Sequence, residues 1–126
     1  MGGVKGFVRS AQQVPSRPVE RGVQAFIQVL VGPEDGAPHY ITRKFTLLPG
    51  GRIPRHKHPG VEHEQFLVAG RLRIGIGEEV FEAKAGEAIY IPADTPHWYE
   101  NPGLETAEFI CVIPKTASYS TEWLEE

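Results

Sequence analysis

Four of the five histidines in this 126-residue chain fall into two short stretches. The first runs Gly50-Gly51-Arg52-Ile53-Pro54-Arg55-His56-Lys57-His58-Pro59-Gly60-Val61-Glu62-His63. The second runs Gly86-Glu87-Ala88-Ile89-Tyr90-Ile91-Pro92-Ala93-Asp94-Thr95-Pro96-His97, with Asn101 beyond it. Neutral imidazole is the commonest protein ligand for transition metals. A lone histidine is more often a packed or surface residue than a ligand. His56, His58 and His63, spaced His-x-His-x4-His, with His97 further on, describe a metal site better than a packed core. His39 falls in a loop ahead of the first clear strand and is read as a bystander.

The elements that must position these rings are strands. The chain holds 14 Gly and 11 Pro, the punctuation of many short strands. No three-turn helical periodicity is present, and only Thr121 to Glu126 suggests a helical turn. Side chains alternate faces along a strand. In Tyr40 to Leu48, Ile41, Arg43, Phe45 and Leu47 share the inner face, and Arg43 is the only charge on it. From Arg71 to Ile76, Leu72, Ile74 and Ile76 face in. From Ala107 to Ile113, Phe109, Cys111 and Ile113 face in, while Ile110 and Val112 make the outer face apolar too. His63 inward brings Gln65, Leu67 and Ala69 with it and turns Phe66 and Val68 out. His97 inward brings Tyr99 and Asn101, leaving Trp98 outside. Strands apolar on both faces are covered on both. The cover expected here is a partner subunit, giving a homodimer, or the N-terminal arm from Val4 to Val14.

Length and composition bound the remainder. The chain fits one domain: an arm of about residues 1–22, a core of about 23–114 and a tail of 115–126. Net charge is −3, and no basic run exceeds two residues, which removes the electrostatic footprint of a nucleic-acid binder. Arg52, Arg55 and Lys57 near the first motif read as a solvated rim. One cysteine, Cys111, excludes an internal disulfide and fits a reducing compartment. No stretch has signal-peptide or membrane-spanning character. Met1-Gly2 opens like an acylation site, but Gly6 stands where Ser or Thr is wanted. A cytoplasmic protein without membrane or nucleic-acid partners is expected.

The two motifs resemble those of the cupin superfamily. Gly50, His56, His58 and Gly70 match its first pattern, Gly-x5-His-x-His-x(3,4)-Glu-x6-Gly, and Gly86, Pro92, His97 and Asn101 match its second, Gly-x5-Pro-x-Gly-x2-His-x3-Asn. The resemblance spans roughly residues 40 to 113. Asp94 occupies the usual Gly of the second motif. His63 occupies the slot of the acidic ligand, with Glu62 beside it. The chain is similar to small bacterial cupins whose site holds four histidines; the shared features are His58-Pro59, Glu62-His63-Glu64, Gly70 and Phe109-Ile110-Cys111-Val112-Ile113-Pro114. One protein of that subgroup binds manganese, and a related zinc form is a polyketide cyclase. The resemblance implies an all-β double-stranded β-helix, or jelly-roll barrel, of two antiparallel sheets. It also implies one divalent transition metal held by His56, His58, His63 and His97, with Glu62 and Gln65 as outer partners fixing the rings.

Four neutral imidazoles leave the ion's double-positive charge uncancelled, so the site should favour anionic or enolate-like oxygen ligands. Mn or Fe is favoured; Zn, Ni and Cu also suit imidazole. Arg43 is the candidate substrate contact, because a guanidinium clasps a carboxylate or enolate through two bonds. The alternative for Arg43 is a buried ion pair or a bond to a loop carbonyl. Tyr99 is a candidate hydroxyl donor, with a lining aromatic as its alternative role. Cys111 reads as a buried inert thiol. Three functions stay open: a metal-dependent oxidoreductase, dioxygenase-like or peroxide-using, on a small oxygen-rich or unsaturated substrate; a non-redox zinc isomerase or cyclase; and a small-ligand or metal-binding module without turnover.

Overall fold

The computed structural model describes residues 4–125. Met1-Gly2, considered above for acylation, and Glu126 lie outside the described residues. The described residues form ten strands: β1 (Arg17–Pro18), β2 (Val23–Val31), β3 (Tyr40–Lys57), β4 (His63–Ala69), β5 (Arg71–Ile76), β6 (Glu79–Lys84), β7 (Ala88–Ile91), β8 (His97–Glu100), β9 (Ala107–Pro114) and β10 (Glu122–Trp123). Every pairing is antiparallel. The strand order β6-β5-β8-β3-β9-β4-β7, with β1, β2 and β10 attached beside it, makes a curled jelly-roll half-barrel. The two layers are continuous because the 18-residue β3 runs through both. Its first half pairs with β9, its second with β8, and β2 follows it across the bend.

The inner face follows the period of two. Phe45, Leu47, Leu67, Leu72, Ile74, Phe109, Cys111 and Ile113 are all buried, and Arg71 and Arg73 point to solvent. The Phe109 ring stacks on Phe45 at 5.0 Å and on Tyr99 at 5.0 Å. Gly70 makes the tight link from β4 to β5 at φ +78°, and a Cβ there would lie 2.6 Å from the Thr106 carbonyl oxygen. Both the left-handed conformation and the close approach require glycine.

β3 changes phase once. Arg43, Phe45 and Leu47 are buried at odd positions, and Pro54, His56 and His58 at even ones. The switch is a bulge: Ile53 pairs with Tyr99 but His56 pairs with His97, so one extra residue is accommodated between them. Pro54 sits there, a position where the missing N–H costs no ladder bond. Without this slip, Arg55 and Lys57 would point inward and the two histidines outward.

Two expectations need correction. The tail is not helical at Thr121 to Glu125: Glu122 and Trp123 pair with Lys57 and His56, and the Leu124 amide donates to the Arg55 carbonyl at 2.9 Å. Six residues cannot sustain a helix alone, and the open edge of β3 offers the backbone bonds instead. The N-terminal arm also does not cover the second apolar face. It follows β2, where Gln28 Nε2 donates to the Ala11 carbonyl at 2.7 Å and Arg9 reaches the Leu30 carbonyl and Asp35. Phe66 and Val68 stay 48% and 51% exposed.

Candidate metal centre

The bulge on β3 turns His56 and His58 inward, β4 opens with His63, and β8 opens with His97. All four are buried. Ring centroids are 4.3 Å apart for His56 and His97, 4.9 Å for His56 and His58, 5.1 Å for His58 and His63, and 5.0 Å for His63 and His97. The tightest set is His56, His58 and His97, each of which offers a nitrogen within 4.8 Å of the other two. His63 stands as the fourth ring against this trio.

Backbone carbonyls fix three of the rings. The Nδ1 atoms of His56, His58 and His97 meet the carbonyls of Pro54 at 2.6 Å, Ser120 at 3.0 Å and Thr95 at 2.9 Å. A carbonyl oxygen only accepts, so the single proton of each neutral ring sits on Nδ1 and Nε2 is left as the acceptor. Burial holds the rings neutral: it lowers His58 to about 4, His97 to about 3 and His63 to about 2, and lowers His56 as well. His63 Nδ1 is buried with no hydrogen-bond partner. An orphaned buried nitrogen costs free energy unless something binds it. Neutral, carbonyl-oriented imidazoles around that orphan fit a divalent transition ion.

The outer partners differ from expectation. Glu62 is exposed and accepts a hydrogen bond from the Tyr90 hydroxyl, with no bond to a ligand ring. Neighbouring residues at the start of a strand point to opposite faces, so His63 inward sends Glu62 out. Gln65 is buried but also bonds no histidine: its Nε2 donates to the Tyr99 hydroxyl at 2.7 Å and meets Cys111 Sγ at 3.2 Å, and its Oε1 has no partner. The carbonyls of Pro54, Ser120 and Thr95 do the orienting expected of carboxylates.

Arg43 and Tyr99 line the same cavity of about 610 Å³ as the four rings. Arg43 is 8% exposed; its Nη2 donates to Cys111 Sγ at 3.2 Å, its Nη1 to the Tyr119 hydroxyl at 3.4 Å, and its Nε to nothing. Burial opposes its charge, but Cys111 and Tyr119 leave its pKa raised, so it remains a cation. None of its hydrogen-bond partners is a carboxylate, so it is not the buried ion pair considered above. Tyr99 is buried between Phe109 and His97, and burial raises its pKa well above the phenol range, so it keeps its proton. His39 is exposed and Trp98 sits on the outer face against Gly75. Arg52, Arg55 and Lys57 pair with Glu125, Glu78 and Glu122 at the surface.

Sequence reasoning missed the tail. Tyr119 stacks on His58 at 4.8 Å, Thr121 Oγ1 lies 3.2 Å from His58 Nδ1, and the Trp123 ring sits 5.0 Å from His56. The alternation of Tyr119, Thr121 and Trp123 was the available signal, since one face of an extended segment carries all three.

A model described as a cupin domain matches residues 43–113. An uncharacterised protein of Methanocaldococcus jannaschii is 36% identical over 77 residues, covering 60% of this chain and 62% of the relative. The chain spans less than two thirds of the length of this and the next curated relative. The polyketide cyclase RemF from Streptomyces resistomycificus superposes with a TM-score of 0.86 at 23% identity, covering 97% of this chain and 87% of that one. A predicted oxalate decarboxylase from Thermotoga maritima gives 0.78 at 20% identity, covering 87% and 100%. At those identities the likeness is one of fold. With both histidine motifs inside the matched segment and their rings gathered in one half-barrel, the chain belongs to the cupin family.

Proposed function

We propose that this cupin is a metal-dependent enzyme of the oxidoreductase class, dioxygenase-like or peroxide-using, acting on a small anionic or enolate-like substrate. His56, His58, His63 and His97 would hold one divalent ion, Mn or Fe in preference to Zn, Ni or Cu. The observation that carries this reading is the charge pattern of the cavity: neutral nitrogen donors beside a buried guanidinium. Such a pocket selects negative oxygen, because a buried cation without a counter-charge is stabilised by an incoming anion. A bound ion would supply a Lewis-acid position and, if Mn or Fe, redox capacity.

The protein's own groups then divide the work. Arg43 binds and orients the anionic end of the substrate through Nε and Nη, since Nε is free of any other acceptor. Tyr99, held by Gln65, forms part of the wall and keeps its proton at neutral pH. Ile53, Phe45 and Trp123 line the cavity and limit water around the reacting group.

Likeness to the polyketide cyclase over 97% of this chain favours a second reading, a non-redox isomerase or cyclase that uses Zn only to polarise a carbonyl. Elemental analysis with electron paramagnetic resonance, on protein purified without added metal, separates the two. Stoichiometric Mn or Fe supports the first. Zn alone supports the second and overturns the first.

A further inference from the structure

Among the described tail residues, Tyr119 is the one with contacts to both His58 and Arg43. Its ring lies over His58, with 25° between planes. Its hydroxyl is 3.2 Å from His58 Nε2 and accepts from Arg43 Nη1 at 3.4 Å. The proton positions follow from the neighbours. His58 Nδ1 faces the Ser120 carbonyl and carries the ring proton, so Nε2 is an acceptor and the phenol donates to it. That nitrogen has a single lone pair. The phenol and a metal ion therefore compete for it, and ligation by His58 releases the Tyr119 O–H.

We propose that Tyr119 is a substrate-contact residue whose hydroxyl exchanges its bond to His58 Nε2 for a bond to an oxygen of the substrate. The inference rests on the metal-centre reading above. Once released, the phenol still accepts from Arg43 Nη1, which polarises its O–H and strengthens it as a donor. Beside it the buried Arg43 Nε has no partner. Arg43 and Tyr119 line the same cavity, and no carboxylate bonds to either. That set fits an anionic group with two neighbouring oxygens, a carboxylate or the enolate of a dicarbonyl. No covalent step and no proton transfer is involved.

The test is Tyr119→Phe, which preserves the stacked ring and removes only the hydroxyl. Zn²⁺ affinity is measured by calorimetry. Acetohydroxamate, a small two-oxygen anion, is then titrated into Co²⁺-loaded protein and followed in the cobalt visible bands. The variant should bind one ion per chain about three- to ten-fold more tightly than wild type, because the competing bond is gone, and acetohydroxamate more weakly by a similar factor. Tyr90→Phe, which removes an exposed hydroxyl outside the cavity, should change neither. In wild-type protein labelled with 3-fluorotyrosine, the Tyr119 resonance should move when Zn²⁺ is added. Unchanged or weaker metal binding in Tyr119→Phe overturns the exchange, and unchanged acetohydroxamate binding overturns the substrate contact; both leave the metal centre standing. Failure of wild-type protein to bind Zn²⁺ or Co²⁺ is a separate result, and it removes the underlying reading.

Discussion

Arg43, Cys111 and Gln65 form one rung across β3, β9 and β4; Phe45, Phe109 and Leu67 form the next, two residues along each strand. Both rungs face inward and both are buried. The apolar rung is complete, with Phe45 stacked on Phe109 and Leu67 wholly enclosed. The polar rung is unfinished: Arg43 Nε and Gln65 Oε1 have no partners, and the histidine rings lie in the cavity these residues share. The backbone is the same in both. What differs is whether the side chains satisfy one another or wait for something else, and leaving buried polar atoms unpaired has a stability cost that a site can justify.

The sharpest way to break the contrast is to remove a ring. His58→Ala should reduce bound metal from one ion per chain to none by elemental analysis, whereas Glu62→Ala, whose carboxylate faces Tyr90, should retain it. If Glu62→Ala strips the ion and His63→Ala keeps it, the ligand assignment is wrong.

Acid should weaken the polar region next. The rings stay neutral in the folded state, with His58 near 4, His97 near 3 and His63 near 2, while unfolded histidine takes up a proton near 6.5. The unfolded state therefore binds more protons below pH 6.5, and the stability of metal-free protein falls as pH drops from there through about 4. The slope approaches roughly 1 kcal/mol per pH unit for each ring that remains neutral. Urea titrations of metal-free protein between pH 7.5 and 4.5 read this directly, and a flat profile would mean that the rings are not desolvated.

Leu67→Ala tests the apolar rung. It should cost about 2–5 kcal/mol in denaturant melts by opening a cavity, with metal stoichiometry unchanged. Arg43→Met tests the polar rung in the opposite sense: unfolding free energy should rise by about 1 kcal/mol or more as an unpaired buried cation is replaced by a side chain of similar length. Loss of stability there would show that the guanidinium is a structural element. The smallest effect is expected at Asp94, a non-glycine at φ +61° whose Oδ1 accepts from the Gly60 amide at 2.9 Å. Asp94→Ala removes the bond but keeps the strained backbone and should cost about 1 kcal/mol, while Asp94→Gly should cost less, since glycine relieves the strain.

Much of this was legible from residue order. Alternation placed Arg43, Gln65, Tyr99 and Cys111 on the inner face before any coordinates, because a strand's side-chain period is two. The motif spacing singled out four histidines, and the fold brings their rings near one another. The outer partners were not legible, because backbone carbonyls have no sequence signature and Pro54, Ser120 and Thr95 contribute only main-chain oxygen to the rings. The tail was only partly legible: the alternation of Tyr119, Thr121 and Trp123 marks one face, but a two-residue strand has too little periodicity to announce itself and exists only because β3 leaves an edge to pair with.

The slip at Ile53–Pro54 has a consequence for how such sites arise and fail. Ile53 and His56 are three places apart while their partners Tyr99 and His97 are two apart. Flattening that bulge with every residue kept would turn His56 and His58 to solvent and bring Arg55 and Lys57 inward. Deleting one residue there would instead leave His56 two places after Ile53 and still inward, so a one-residue gap at this point is compatible with the same ring of nitrogen donors.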